Sequence, residues 1–146
     1  MTTETITFAC QVTPTNNSTS LGLRVLLDQV TIFETAHVTE TVQLEHEMSD
    51  ADGEHELTFE LFGKLPEHTK ITETGEIVSD ALLEINNITL DGIDFDQLLQ
   101  SLAVYHHDVN GTQAPADYKF YGSIGCNGTV TLKFTTPIYL WLLENM

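Results

Sequence analysis

Residues 42–61 read Val-Gln-Leu-Glu-His-Glu-Met-Ser-Asp-Ala-Asp-Gly-Glu-His-Glu-Leu-Thr-Phe-Glu-Leu. Val42, Leu44, His46 and Met48 fall on one face of a period-two pattern. His55, Leu57, Phe59 and Leu61 fall on one face of a second. Strict alternation is the mark of a strand with one face buried and one in water. The link between them, Ser49 to Glu54, is rich in turn formers. The stretch predicts two strands joined as a hairpin. If the hairpin is symmetric about its loop, Leu44 sits opposite Leu57 and His46 opposite His55, with both apolar faces in register.

The same rhythm extends in both directions. Ile6, Phe8, Cys10 and Val12 alternate with Thr5, Thr7 and Gln11, and Leu21, Leu23, Val25 and Leu27 alternate up to a turn at Asp28-Gln29. Pro14 to Ser20 reads as a polar loop, and Thr74-Gly75, Asp91-Gly92 and Asn110-Gly111 are turn signals. Leu83, Ile85, Ile88 and Leu90 continue the pattern with one skipped step, which predicts a bulge near Asn86-Asn87. Phe95, Leu98, Leu99 and Leu102 alone have helical spacing, with Asp94 placed as a cap. Ala103 to His107 reads as a return to strand. Three glycines, Gly122, Gly125 and Gly128, suggest tight packing or a bulged corner. Val130, Leu132 and Phe134 then alternate cleanly. Thr, Val, Ile, Phe, Tyr and Trp make up 51 of 146 residues, a composition suited to pleated, half-buried surfaces. The prediction is all-β: one domain over residues 1–146, a jelly-roll-like β-sandwich of about eight to ten strands with one short helix. An immunoglobulin-like sandwich is the second choice, and its Cys–Trp–Cys order is missing because Trp141 follows both Cys10 and Cys126.

Charge narrows the function. Twenty-two acids against five Lys plus Arg give a net charge of −17. A chain that binds nucleic acid or an anionic membrane surface gains affinity by neutralising phosphates, so neither is expected as a partner. No apolar run reaches the length of a membrane span, and Met1 to Phe8 lacks the basic start of a signal peptide, so synthesis in the cytoplasm is expected. Cys10 and Cys126, without metal spacing, are expected to be free thiols, with a disulfide as the alternative because a sandwich often brings its terminal strands together. Gly122-Ser123-Ile124-Gly125 matches a nucleophile elbow only loosely, and no phosphate-binding loop is present. The expectation is a protein that is not an enzyme.

Three features are candidates for a site. Asp50, Asp52 and Glu54 put three carboxylates on one turn, the chemistry calcium prefers; Asp91, Asp94 and Asp96 form a second acidic group that also suits a turn and a helix cap. His46 facing His55, with one of His106 or His107, would offer nitrogen ligands to zinc, against the plainer reading of rim histidines. Past Pro137 the alternation stops, and Ile138-Tyr-Leu-Trp-Leu-Leu143 is apolar throughout. Such a run is either a strand buried on both faces or an interface, and Tyr and Trp are favoured anchors in interfaces.

Two resemblances follow from these residues. Leu23 to Phe33, Glu45 to Leu57 and Ile85 to Asp94 resemble a calcium-dependent carbohydrate-binding module of the xylan-binding kind. That resemblance implies a jelly-roll sandwich, calcium near Asp50 and Asp52, and a sugar ring stacked on Tyr105, Tyr118 or Tyr121. Over nearly the whole chain, Asp52 to Leu57, Glu67 to Ile71, Phe120 to Gly122, Gly125 to Val130 and Leu132 to Glu144 resemble small proteins of tailed phages infecting marine cyanobacteria. This second resemblance implies a virion structural or accessory protein. Its expected partners are other virion proteins and copies of itself, docked through Ile138, Tyr139, Trp141 and Leu143, with no cofactor unless calcium. Particle docking is the leading expectation and binding of host glycan the alternative.

Overall fold

The computed structural model describes residues 5–15, 21–64, 69–71, 73–74, 77–108, 111 and 113–145. In chain order the strands are β1 Thr5–Pro14, β2 Leu21–Leu27, β3 Val30–Val38, β4 Val42–Ser49, β5 Gly53–Phe62, β6 Thr69–Ile71, β7 Ile77–Asp80, β8 Leu83–Leu90 and β9 Ile93–Asp94. Helix α1 spans Asp96–Leu102; β10 Val104–His107, β11 Ala116–Lys119, β12 Ser123–Ile124 and β13 Gly128–Thr136 follow, and α2 spans Ile138–Asn145. Gly75 and Asn110, from the turns expected at Thr74-Gly75 and Asn110-Gly111, and most of the loop expected over Pro14 to Ser20 lie outside the described residues. Pro14 itself ends β1.

Two sheets stack face to face. One runs β12-β8-β1-β4, with β9 paired to β8; the other runs β11-β10-β13-β5-β2-β3; β6 and β7 form a separate ribbon. All described pairings are antiparallel. The alternation read from sequence decides what lies between the sheets. Ile6, Phe8, Cys10 and Val12 are buried from one side, and Val25, Phe59 and Val130 from the other. The rings of Phe8 and Phe59 meet across the sandwich at 6.4 Å. The bulge expected near Asn86-Asn87 is present: register shifts between Ala9 and Gln11 on β1, and Asn87 has φ of 53°. Asp28 and Gln29 both have positive φ, 52° and 67°, the mirror-image turn whose twist suits a hairpin. Gly128 sits where a side chain would strike the His106 carbonyl oxygen at 2.3 Å, so β13 approaches β10 closely only with glycine there.

Two expectations are corrected. β4 and β5 do not pair with each other: β4 lies beside β1, and β5 lies between β13 and β2 in the other sheet. Residues 42–61 form an arch that crosses the sandwich. Alternation satisfies both shapes equally, because each strand of an arch also turns its apolar face to the common core. His46 and His55 therefore stand in different sheets. The second correction concerns the run after Pro137, which is a helix and not a strand. Ile138, Trp141 and Leu142 are its buried residues, at i, i+3 and i+4. The described residues thus contain two short helices, and more strands than eight to ten, because β6, β9 and β12 are pairings of only two or three residues.

Candidate functional site

The acidic turn serves the fold. Asp50 is nearly buried, and its Oδ1 accepts the backbone N–H of Ile138 at 2.8 Å. The first turn of a helix has orphan N–H groups, and a carboxylate there satisfies one of them. Asp52 and Glu54 remain exposed. In the second acidic group Asp94 accepts the N–H of Asp96 and Asp96 accepts the N–H of Ile88. Among the described residues no three His, Cys, Asp or Glu side chains come together in a way that would hold a metal ion.

The four docking residues divide. Ile138 is fully buried, and Trp141 packs its edge against Phe134 with centroids 6.0 Å apart. Tyr139 and Leu143 are exposed, together with Leu140, and the Tyr139 hydroxyl lies 2.9 Å from a carboxylate oxygen of Asp91, to which it donates. Helical geometry is the reason: a run that would present alternate residues as a strand presents every third or fourth as a helix.

The outer face of the six-stranded sheet carries two concavities. One, of about 670 Å³, lies over the ends of β5 and β13 and is lined by Asp28, Glu54, His55, Glu56, Lys133 and Trp141 among others. The other, of about 490 Å³, lies over β10, β11 and β13 and is lined by Leu102, Val104, His106, Asp117, Lys133 and Trp141 among others. Lys133 and Trp141 line both, so the two adjoin. His55 anchors the first. Its Nδ1 is 2.8 Å from Asp28 Oδ2 and its Nε2 is 3.0 Å from Thr136 Oγ1. Asp28 also accepts the N–H of Glu56 at 2.9 Å. Burial pushes the Asp28 carboxyl up, but the hydrogen bonds from His55 and Glu56 and the charge of His55 outweigh it and hold the group below the usual carboxylate range. Asp28, His55 and Thr136 stand in the order of a hydrolytic triad, but the Thr136 proton is directed away from His55. Thr136 is buried, and its one proton goes to the Ala51 carbonyl. A hydroxyl committed to that carbonyl has no proton left to yield to the histidine.

Beyond the second concavity the sheet ends in aromatic residues. Tyr105 is buried; its hydroxyl donates to the Cys126 carbonyl and accepts the Cys126 N–H, so no face of the ring is offered to a solute. His107 lies between Tyr105 and Tyr118, 4.3 Å from each centroid and nearly parallel to Tyr118. Burial lowers the pKa of His107, assisted by His106 and opposed by Asp108. Tyr118 is partly exposed and Tyr121 is 74% exposed. Lys119 pairs with Val104 across the sheet, and its ammonium sits 5.4 Å from the centre of the Tyr121 ring. His106 and Asp117 bond at 2.8 Å on the outer face. Sequence reasoning picked out the tyrosines but not Lys133, Glu56 or His106 as a set. Cross-strand register sets Lys133 opposite Glu56, and the second concavity joins His106 to Lys133; a single strand's pattern reports neither.

No protein-family model matches the chain, and no curated protein matches it. A solved structure, described as vCBM60 in complex with galactobiose, is similar over 86% of this chain and 96% of that one, with 13% identity and a TM-score of 0.49.

Proposed function

We propose that the chain is a glycan-binding β-sandwich module that holds a sugar chain across the open face of its six-stranded sheet and does not cleave it. The observation that carries this reading is the pair of adjoining concavities on the outer face, with the exposed Tyr121 ring held by Lys119, the cross-strand partner of Val104 in the second. From β5 to β11 the track crosses three inter-strand steps, about 14 Å. A sugar ring has an apolar face that packs on an aromatic ring and a rim of hydroxyls that both donate and accept. Tyr121, steadied by Lys119, supplies the first kind of contact; Glu56, Lys133, His106 and Asp117 supply the second. Binding without cleavage fits the proton inventory at Thr136. Binding without calcium fits Asp50, whose carboxylate is occupied by Ile138. The particle-docking reading has less support, since Ile138 and Trp141 are spent inside the molecule.

Calorimetric titration of the purified chain with cellohexaose, xylohexaose and galactan oligosaccharides tests the reading. At least one is expected to bind with a dissociation constant on the order of 0.1–1 mM, about 4–5.5 kcal/mol. Tyr121→Ala should weaken it tenfold or more without lowering the melting temperature, and a chelator should leave it unchanged. Absence of binding to neutral glycans at millimolar concentration, or binding that Tyr121→Ala leaves intact, overturns it.

A further inference from the structure

We infer that a second glycan subsite lies on the opposite outer face, over the bulge between β1 and β8, and that the module therefore bridges two sugar chains. This rests on the glycan-binding reading above. The recess has a volume of about 400 Å³, and Gln11, Gln43, Glu45 and Asn87 stand around Ala9. Its shape comes from the strands. Ala9 pairs with Glu45 on β4, and Gln11 pairs with Gln43, so a short side chain on the central strand sits beside longer ones. On the other flank the register shift lifts Asn87 out of the ladder with positive φ, a conformation asparagine tolerates.

The chemistry of the rim is specific. Asn87 Nδ2 donates to Gln11 Oε1 at 2.6 Å, which fixes both amides in place before any ligand arrives. That bond leaves the Gln11 amide nitrogen and the Asn87 carbonyl oxygen to face solvent. Gln43 offers a further donor and acceptor, and Glu45 a carboxylate; both are exposed. Donors and acceptors alternate around one hollow, and only one group is charged. Hydroxyls, which give and take a hydrogen bond at once, match such a rim. An anion would be repelled by Glu45, and a cation would find in Glu45 a single charged ligand where such ions gather several. The occupant is therefore a neutral sugar. Among the described residues no aromatic ring borders the recess, so this subsite is the weaker one, and it acts by attaching a second sugar chain to a module already held through the far sheet.

Titration of isotope-labelled protein with cellohexaose, xylohexaose and galactan oligosaccharides, followed by amide NMR, separates the outcomes. Two groups of shifts are expected: one around Lys119, Tyr121 and Lys133, and one including the side-chain amides of Gln11, Gln43 and Asn87. Gln43→Ala and Asn87→Gly should each weaken the second group at least tenfold and leave the first unchanged; glycine preserves the positive φ at position 87. Both variants should also lose the ability of the wild type to turn a dilute solution of the matching polysaccharide turbid. Shifts in the first group alone overturn the second subsite and leave the glycan reading standing. Shifts in the second group that neither variant alters also overturn it. Shifts in neither group overturn both.

Discussion

At the scale of single residues, two groups tie stability to acidity, and both act in the same direction. His107 favours its neutral form in the folded protein because it is partly desolvated against Tyr118 and Tyr105. Its folded pKa lies below the ordinary 6.5, so its contribution is whole above that pH and is lost as pH falls through the folded value. Asp28 is also depressed, from an ordinary 3.8, so its contribution holds above about pH 4 and is lost on further acidification. The urea midpoint should therefore fall below about pH 6.5 and fall again below about pH 4. In His107→Gln the first fall should shrink while the second persists. A midpoint equally sensitive between pH 7 and 5 in wild type and variant would show that His107 contributes nothing. Cys10 follows a related logic: burial pushes its thiol up to about 12, which leaves it protonated and unreactive in the native state.

At the scale of elements, α2 is the part that sequence reasoning misjudged, and the error has a physical source. Ile138 to Leu143 has no polar residue to break the run, so period two and period 3.6 cannot be told apart within it. A contact that favours the helix is remote, at Asp50 on the arch, whose carboxylate accepts the Ile138 N–H. By contrast β1, β2, β8 and β13 were legible because each alternates over four or more positions, and α1 because its four apolar residues complete two turns. The arch was legible in which faces it buries and illegible in which strands it joins, since alternation carries no information about the neighbour. The candidate site was legible only at Tyr118 and Tyr121. Trp141 now belongs to the core. Trp141→Ala should cost about 3–5 kcal/mol of stability through the cavity it leaves. Chemical unfolding followed by circular dichroism measures this, and an undiminished midpoint together with lost self-association would restore Trp141 as an interface residue.

At the scale of the whole molecule, the outer surface divides by task while the interior is shared. The open face of the six-stranded sheet carries the concavities and the exposed tyrosine, and the opposite face carries the amide recess. A net charge of −17 repels neighbouring copies and penalises an anionic polysaccharide on either face. Neutral glycans avoid that penalty, and it diminishes in added salt for charged ones.

The arch at Ala51 is one instance of a wider habit: the path also changes sheet at β1–β2, β3–β4, β9–β10, β11–β12 and β12–β13, and from β5 to β8 by way of the β6–β7 ribbon. The strand at the middle of the larger sheet, β13, comes after every other described strand. While the protein is being synthesised, β5 and β10 therefore wait with unpaired edges for a partner that the ribosome has yet to deliver. Domains that close early in synthesis protect themselves as they emerge; this one should remain open until residue 136 has cleared the exit tunnel. Ribosome-bound chains stalled before residue 128 should be cut readily by protease, and chains extended by a linker past residue 145 should resist. Protection of the shorter chains would mean that a stable subset of strands assembles without β13.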